Sequence, residues 1–240
     1  MKRAEDRFVI ALDASTAAGS VAVANRGKLL AEVTVNVASG HSSALLPAID
    51  YVVEAAGAQR DALAAVVVGS GPGSFTGVRI AAATAKGIAG ALSIPLMAYS
   101  SLLAAAAGAA TGGGETLVLF DARGRDVYAA CYRFGAAIEN ALGPSALTLD
   151  ELLAHAATRQ ISTVTGDAVV RHRDEVERAL GIPVSPPHLH APRASALLWL
   201  AEQWPELGRV DSAAGWEPDY LRASGAERIA AARERAQVRA

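Results

Sequence analysis

A glycine-rich segment, Gly69–Gly77, contains the residues that are best suited by type and spacing to bind an anion. An apolar run of strand length precedes it and an alanine-rich helix is predicted to follow, so a strand leads through glycines into a helix. Backbone N–H groups at such a helix start can hold a phosphate. The spacing of Gly71, Gly73 and Gly77 differs from the dinucleotide motif, and Val78 stands where a Walker motif has Lys. A structural turn is therefore favoured over a phosphate site.

Two aspartates follow apolar runs at points where the chain is predicted to turn. Asp13 ends the run that begins at Phe8, and Asp121 ends the run that begins at Leu117. A carboxylate in this position can hold a magnesium-bound phosphate, or it can cap its own turn. The turn is the favoured interpretation for Asp121, whereas both interpretations stay open for Asp13. The candidate nucleotide or anion loop comprises Asp13, Ser15, Thr16, Gly71, Gly73, Ser74 and Arg79.

The other reactive side chains form no catalytic or metal-binding pattern. His188 and His190 lie two residues apart in a proline-rich loop, with no third ligand at metal-site spacing. Ser74 has no G-x-S-x-G context, so it does not resemble a hydrolase nucleophile. Cys131 lies in a predicted strand, where a reduced thiol in the core is expected. The sequence therefore predicts neither a catalytic residue nor a metal site.

The composition limits the class of protein. Of 240 residues, 52% are hydrophobic, 19% are charged and the net charge is −2, which excludes a disordered chain and argues against a stand-alone nucleic-acid binder. The charge-free run 87–114 could span a bilayer by length, but Pro95, several serines and many alanines make insertion poor. The N-terminus lacks the pattern of a signal peptide. A cytoplasmic protein without membrane contact is expected.

The two halves of the chain repeat one order of elements. FVIALDASTAAGSVAVA (8–24) and LVLFDARGRDVYAACY (117–132) each give a strand, an aspartate, a tight turn and a second strand. We predict an α/β protein with a duplicated architecture. Its lobes are expected at 1–103 and 104–225, followed by a basic tail at 226–240. A helix near 193–204 is expected to return to the first lobe.

The other elements follow from hydrophobic periodicity and turn residues. Ser42 or Ser43 is expected to cap a helix that runs to about Ala56, with Pro47 in its first turn. A proline-rich loop is predicted over 183–192. Further strands are predicted at 28–37, 64–68, 96–99 and 161–165, and further helices at 76–92, after Ser100 or Ser101, at 148–157 and at 167–180.

The first two predicted helices carry more apolar surface than one sheet explains. Gly77, Ala81, Ala85 and Ala89 share one stripe, along which a second helix could approach closely. A helix that is apolar nearly all round suggests a second burial partner. We predict an intermolecular helical bundle formed by Leu45, Ile49, Val52, Val53, Gly77, Val78, Ala81, Ala85, Ile88 and Ala89.

Five segments, spread over nearly the whole chain, carry a resemblance to the bacterial TsaB (YeaZ) family. GPGSFTGVR (71–79), followed by AKGIA (85–89), resembles the family signature. ALDAST (11–16) and HSSALLP (41–47) resemble the opening of the family and the start of its first helix. DARGRDVYAACY (121–132) is similar to a third family segment, with Asp126 in place of the usual Glu, and EPDYLR (217–222) is similar to the terminal one.

The resemblance implies a two-lobed actin- and Hsp70-like fold and a role in making N6-threonylcarbamoyladenosine at position 37 of tRNA. It implies a non-catalytic dimerisation and activating subunit that pairs through its N-terminal helices with a TsaD-like transferase. A TsaE-like ATPase would join them. ATP and magnesium would bind through these partners, with no cofactor held firmly by this chain. The tRNA would be contacted only through the complex, and the isolated chain could form a homodimer.

Two other functions stay open at this point. A nucleotide-dependent kinase or ATPase of the same fold would use Asp13 and the glycine-rich segment. A glycoprotease-like peptidase would need a nucleophile or a metal site, and the sequence shows neither. A chain that has no catalytic activity alone is the favoured prediction.

Overall fold

The chain forms two α/β lobes, each built on a mixed sheet. The computed structural model describes residues 7–36 and 41–221. The strands of the first sheet are β1 (Phe8–Asp13), β2 (Ala18–Asn25), β3 (Lys28–Asn36), β4 (Leu63–Gly69) and β5 (Leu96–Tyr99), in the order β3-β2-β1-β4-β5. The central strand β1 pairs antiparallel with β2 and parallel with β4. At the two edges, β3 pairs antiparallel with β2 and β5 pairs parallel with β4.

The second sheet repeats this arrangement. Its strands are β6 (Glu115–Asp121), β7 (Asp126–Phe134), β8 (Ile138–Thr148) and β9 (Ile161–Thr165), in the order β8-β7-β6-β9. β6 pairs antiparallel with β7 and parallel with β9, just as β1 pairs with β2 and β4. The predicted duplication is therefore confirmed.

Helices cover both sheets and fill the space between them. They are α1 (His41–Ala55), α2 (Phe75–Leu92), α3 (Ser101–Ala109), α4 (Leu149–Ala156), α5 (Val169–Leu180) and α6 (Ala194–Gln203). α1 and α2 lie side by side on one face of the first sheet, α3 and α6 lie between the sheets, and α4 and α5 cover the second sheet from outside. In the part of the chain that the structure describes, no helix is long and apolar enough to cross a membrane.

Alanine makes the central layer possible. The chain contains 55 alanines, and three consecutive ones, Ala104–Ala106, are fully buried in α3. α3 packs on the second sheet while α6 packs on the first and on α3. Small side chains let two helices and two sheets approach within one core, which larger residues such as Leu102 and Leu197 then fill.

The structure departs from the sequence predictions in two elements. β8 was not expected, because Gly143 and Pro144 interrupt its pattern. Both residues fall at an irregularity in the pairing with β7, on an edge strand where a missing N–H is tolerated. α1 begins at His41, so Ser42 and Ser43 lie inside the helix rather than before it. Pro47 is accordingly the helix's seventh residue, beyond the first turn. The predicted strand end at position 37 and the tail at 226–240 lie outside the described residues.

The start of α6 is held by side chains of the first sheet. The N–H of Ala194 donates to Ser20 Oγ at 3.0 Å, and the N–H of Ser195 donates to Glu32 Oε1 at 3.0 Å. The Ser195 hydroxyl also donates to Glu32 Oε1 at 2.8 Å, and Arg193 forms a salt bridge with the other carboxylate oxygen. These bonds satisfy N–H groups that a helix leaves without partners at its start, so β2 and β3 position α6.

Glu32→Ala should lower the free energy of unfolding by about 2 kcal/mol, because it leaves partly buried donors at the start of α6 without an acceptor. Glu32→Gln retains Oε1 and should cost less than half as much. Urea unfolding measures both changes. The exposed Glu206→Ala serves as control and should change stability by less than about 0.5 kcal/mol. Equal losses in Glu32→Ala and Glu206→Ala would show that Glu32 does not cap α6.

Candidate interaction face and glycine loop

The glycine loop packs directly on the turn between β1 and β2. The N–H of Ser74 donates to the carbonyl of Ser15 at 2.6 Å. A Cβ atom on Gly73 would overlap the backbone of Ser15, and one on Gly77 would overlap the carbonyl oxygen of Ala14. The glycine loop and the turn between β1 and β2 can therefore approach this closely because positions 73 and 77 lack a side chain. The glycines serve close packing within the chain.

Asp13 is fully buried where the loop, the turn and the start of α3 meet. Its Oδ1 accepts hydrogen bonds from the N–H and the hydroxyl of Ser15, at 2.8 and 2.7 Å. Its Oδ2 accepts the hydroxyl of Ser101 at 2.6 Å. Ser15 and Thr16 are buried beside it. Of the two interpretations left open for Asp13, its contacts match the one in which it closes its own turn.

The glycine loop also uses its N–H groups internally. Gly71 donates to the hydroxyl of Ser101 at 3.1 Å, and Gly77 donates to Ser74 Oγ at 3.3 Å, which makes Ser74 the cap of α2. With the Ser74–Ser15 bond, three N–H groups of the segment are engaged. Of the predicted anion-loop residues, Ser74 and Arg79 are exposed. Anion binding by this segment stays a prediction.

The predicted partner-facing residues lie inside the chain. The structure buries nine of the ten, most of them in the core that α1 and α2 share with the first sheet, and leaves Ile88 half-buried. They are Leu45, Ile49, Val52, Val53, Gly77, Val78, Ala81, Ala85, Ile88 and Ala89. The periodicity correctly predicts an apolar stripe, and in the structure this stripe covers the chain's own sheet. This placement corrects the expectation that it faces a second chain.

The opposite sides of α1 and α2 are exposed, with two acidic residues on α1 and one arginine on α2. Because the two helices lie side by side on one sheet, these sides form one surface, which we call the α1–α2 outer face. It comprises Leu46, Asp50, Tyr51, Glu54, Thr76, Arg79, Ala83, Gly87 and Gly90. Leu46 and Tyr51 are 57% and 61% exposed, and both are large apolar side chains.

Two glycines in the α2 part of this face have no function in the packing of the chain. A Cβ atom on Gly87 or Gly90 would meet nothing within 4 Å. Glycine inside a helix costs about 0.5–1 kcal/mol relative to alanine. Gly87 and Gly90 therefore lower the stability of α2, although no contact within the chain requires a glycine at either position. Because the surface there lacks side chains, another helix could pack closely against it.

A segment near the end of the described chain, residues 216–220, crosses α2 and the glycine loop; we call it the C-terminal strap. Lys86 Nζ donates to the carbonyl of Trp216 at 2.8 Å and contacts Glu217 at 3.3 Å. Asp219 exchanges two hydrogen bonds with Ser70, at 2.9 and 3.0 Å. Sequence reasoning missed these contacts, because 149 residues separate Ser70 from Asp219.

Tyr220 of the strap forms a stack with Arg79 and Phe75 at the start of α2. The guanidinium carbon of Arg79 lies 4.2 Å from the centroid of the Phe75 ring and 5.7 Å from that of Tyr220. Arg79 Nε donates to the Tyr220 hydroxyl at 3.2 Å. We call these three residues the arginine stack.

In the second lobe, Asp121 closes its own turn as predicted. Its Oδ1 accepts the N–H of Arg123 at 2.7 Å. Its own N–H donates to Asp167 Oδ1 at 2.9 Å. Burial, with a smaller contribution from the Asp121 carboxylate, raises the pKa of Asp167 to about 6.

The remaining reactive residues have structural surroundings. Cys131 is fully buried, and burial together with Glu115 raises the pKa of its thiol to about 12. His190 is buried, and its Nε2 lies 2.7 Å from the carbonyl oxygen of Ser185, whereas His188 is exposed. Over 7–36 and 41–221, no three His, Cys, Asp or Glu residues are grouped so that they could hold a metal ion.

Sequence comparisons relate the chain to tRNA-modification proteins. A family model described as TsaD, tRNA N6-adenosine threonylcarbamoyltransferase, matches residues 28–228. The tRNA threonylcarbamoyladenosine biosynthesis protein TsaB of Bacillus subtilis is 30% identical over 223 residues, which covers 91% of this chain and 96% of that protein. TsaB of Escherichia coli is 36% identical over 127 residues, covering 52% of this chain and 54% of that protein.

Solved structures show the same architecture. YeaZ from Pseudomonas aeruginosa superposes with a TM-score of 0.73 at 29% identity, covering 90% of this chain and 100% of that chain. The ethanolamine utilization protein EutJ from Carboxydothermus hydrogenoformans gives a TM-score of 0.51 at 14% identity, over 80% of this chain and 89% of that one, and shows the fold alone. These likenesses confirm the predicted duplicated, actin-like fold class.

Asp167 should make stability depend on pH. Because its pKa is about 6 in the folded chain and near 3.8 when exposed, the stabilising contribution of the protonated form is complete below about pH 4 and is lost as pH rises through 6. Asp167→Asn keeps the acceptor for the N–H of Asp121 and removes the titration. Between pH 4 and pH 7.5 the wild type should lose about 2 kcal/mol more unfolding free energy than the variant.

Urea unfolding at the two pH values measures this difference, and the exposed Asp174→Asn of α5 is the control. Asp174→Asn should keep the wild-type pH dependence. If Asp167→Asn also keeps it, Asp167 does not titrate as its burial requires.

Proposed function

The chain belongs to the TsaB (YeaZ) family of tRNA threonylcarbamoyladenosine biosynthesis proteins, and on that premise we propose that it is the non-catalytic docking and activating subunit of a transferase complex. Its direct partner is a TsaD-like transferase subunit. A TsaE-like ATPase joins the two. The chain contributes a surface that holds and activates the TsaD-like subunit, and the transfer reaction takes place on that partner.

The observation that carries the proposal is the α1–α2 outer face. It joins exposed Leu46 and Tyr51 to a stretch of α2 where Ala83, Gly87 and Gly90 leave the helix backbone nearly bare. Helices that cross at small residues approach more closely than the usual 8–10 Å between axes. Two helices of a partner subunit laid against this face would form a four-helix bundle and bury its apolar side chains.

The absence of turnover by this chain alone is part of the proposal. It is supported by the contacts of Asp13, whose two oxygens bind Ser15 and Ser101, and by the glycine loop, which packs on the chain's own turn. Groups that would have to meet a nucleotide are thus engaged in holding the first lobe together. ATP and magnesium bind through the partner subunits, and tRNA is contacted through the assembled complex. Without a TsaD-like subunit the same face pairs two copies of the chain.

Replacing the exposed glycines of α2 separates stability from binding. Gly87→Ala and Gly90→Ala should each raise the free energy of unfolding by about 0.5–1 kcal/mol, because alanine is the better helix former. The added methyl groups should weaken binding of a TsaD-like subunit about tenfold, since they hold a partner helix away. Urea unfolding of the isolated chain, at a dilution at which it is monomeric, and calorimetric titration with the subunit measure the two effects.

Ala83→Arg should prevent association, because its side chain stands in the middle of the face. Ala179→Arg, on the exposed side of α5, is the matched control and should bind as wild type does. In a reconstituted reaction, threonylcarbamoyl transfer to tRNA should require the TsaD-like subunit. Wild-type binding by Ala83→Arg would remove the docking role, and transfer by this chain alone would remove the non-catalytic one.

A further inference from the structure

We propose that Arg79 is the charged anchor of the α1–α2 outer face and that it binds a carboxylate side chain of the partner protein. The inference rests on the proposed docking function and names the chemistry by which the partner is recognised. The arginine stack would thus help to determine which partner binds, a role that follows neither from the helix periodicity nor from the family comparison.

The guanidinium of Arg79 is held in place before any partner arrives. The rings of Phe75 and Tyr220 contact each other, with centroids 5.5 Å apart, and both border the guanidinium, whose Nε donates to the Tyr220 hydroxyl. The strap fixes Tyr220 in turn, since the neighbouring Asp219 exchanges two hydrogen bonds with Ser70. A fixed arginine fork loses little conformational freedom when it binds a planar carboxylate through its two terminal nitrogens.

The charge of Arg79 is not matched by a carboxylate within the described chain. α2 contains two basic residues, Arg79 and Lys86, and no acidic one. Lys86 forms a salt bridge with Glu217, whereas no salt bridge joins Arg79 to any acidic residue over 7–36 and 41–221. The face therefore carries one positioned positive charge, and an acidic partner residue complements it.

Arg79 also lies in line with the close-packing part of the face. It precedes Ala83 by one helical turn, and Ala83 precedes Gly87 by another, so all three share the exposed side of α2. A partner helix that packs on Ala83 and Gly87 thus passes the guanidinium. Phe75 and Tyr220, 38% and 41% exposed, would then exclude water around the ion pair, as apolar residues do around the strongest contacts of an interface.

The surroundings favour a protein carboxylate over an RNA phosphate. The exposed side of α1 carries Asp50 and Glu54, and the strap carries Glu217, which is 73% exposed. Asp50 pairs with Arg60 and Glu217 pairs with Lys86, so these described residues do not form the cluster of unpaired basic residues to which a polyanion binds best. A single acidic side chain on a mainly apolar partner helix carries one negative charge and therefore meets less repulsion than a polyanion.

The test compares Arg79→Gln with Arg178→Gln, an equal charge change on the exposed side of α5. Affinity for a TsaD-like subunit is measured by calorimetry at 50, 150 and 500 mM salt, with thermal unfolding to verify that each variant is folded. Arg79→Gln should weaken binding about tenfold at the lowest salt and should flatten the salt dependence. Arg79→Lys should recover part of the affinity, and Arg178→Gln should behave as wild type.

The outcomes separate this inference from the docking function. Wild-type affinity and salt dependence in Arg79→Gln, while Ala83→Arg fails to bind, would overturn the anchor and leave the docking face. No association of the wild type with the subunit would overturn both. Unchanged affinity for the subunit together with weaker binding of a bare tRNA transcript in Arg79→Gln would assign the arginine to RNA and also overturn the proposal.

Discussion

The start of α2 lies so close to the turn after β1 that a side chain at position 73 or 77 would overlap the backbone of that turn. The bond from Ser74 to Ser15 fixes this contact, and the helix leaves the loop in one direction only. That direction decides which side of α2 covers the sheet and which side faces outward. The buried stripe that includes Ala81 and the exposed stripe that includes Ala83 are both consequences of this single close approach.

The same contact separates two uses of glycine within one helix. Gly77 allows α2 to pack against the backbone of the turn after β1. Gly87 and Gly90 face open space, so they lower the stability of the helix and make no closer contact within the chain possible. The chain belongs to a family of tRNA-modification proteins, and its Asp13 is engaged in holding its own loops together. The features that point to a function therefore lie on its surface. The exposed glycines are where that surface departs most clearly from what folding alone requires.

Sequence patterns predicted the strands around Asp13 and Asp121, the duplication and most helices, because buried strands and amphipathic helices depend on local periodicity. Periodicity could not decide which side of α2 meets the sheet, since both sides carry small or apolar residues. β8 was not predicted because Gly143 and Pro144 interrupt its pattern. The strand forms through its tertiary pairing with β7, which local sequence does not reveal. The arginine stack escaped because Tyr220 and Arg79 are 141 residues apart, a contact that only the tertiary fold creates.

The claim that the α1–α2 outer face is the docking face can be tested by thiol labelling, because the single native cysteine, Cys131, is buried and its pKa is raised to about 12. Ala83→Cys and Ala179→Cys place a small reactive group on the outer face and on α5. A TsaD-like subunit at ten times its Kd should slow maleimide labelling of Ala83→Cys about tenfold and leave Ala179→Cys unchanged. An unchanged rate for Ala83→Cys, or slowing confined to Ala179→Cys, would contradict the account.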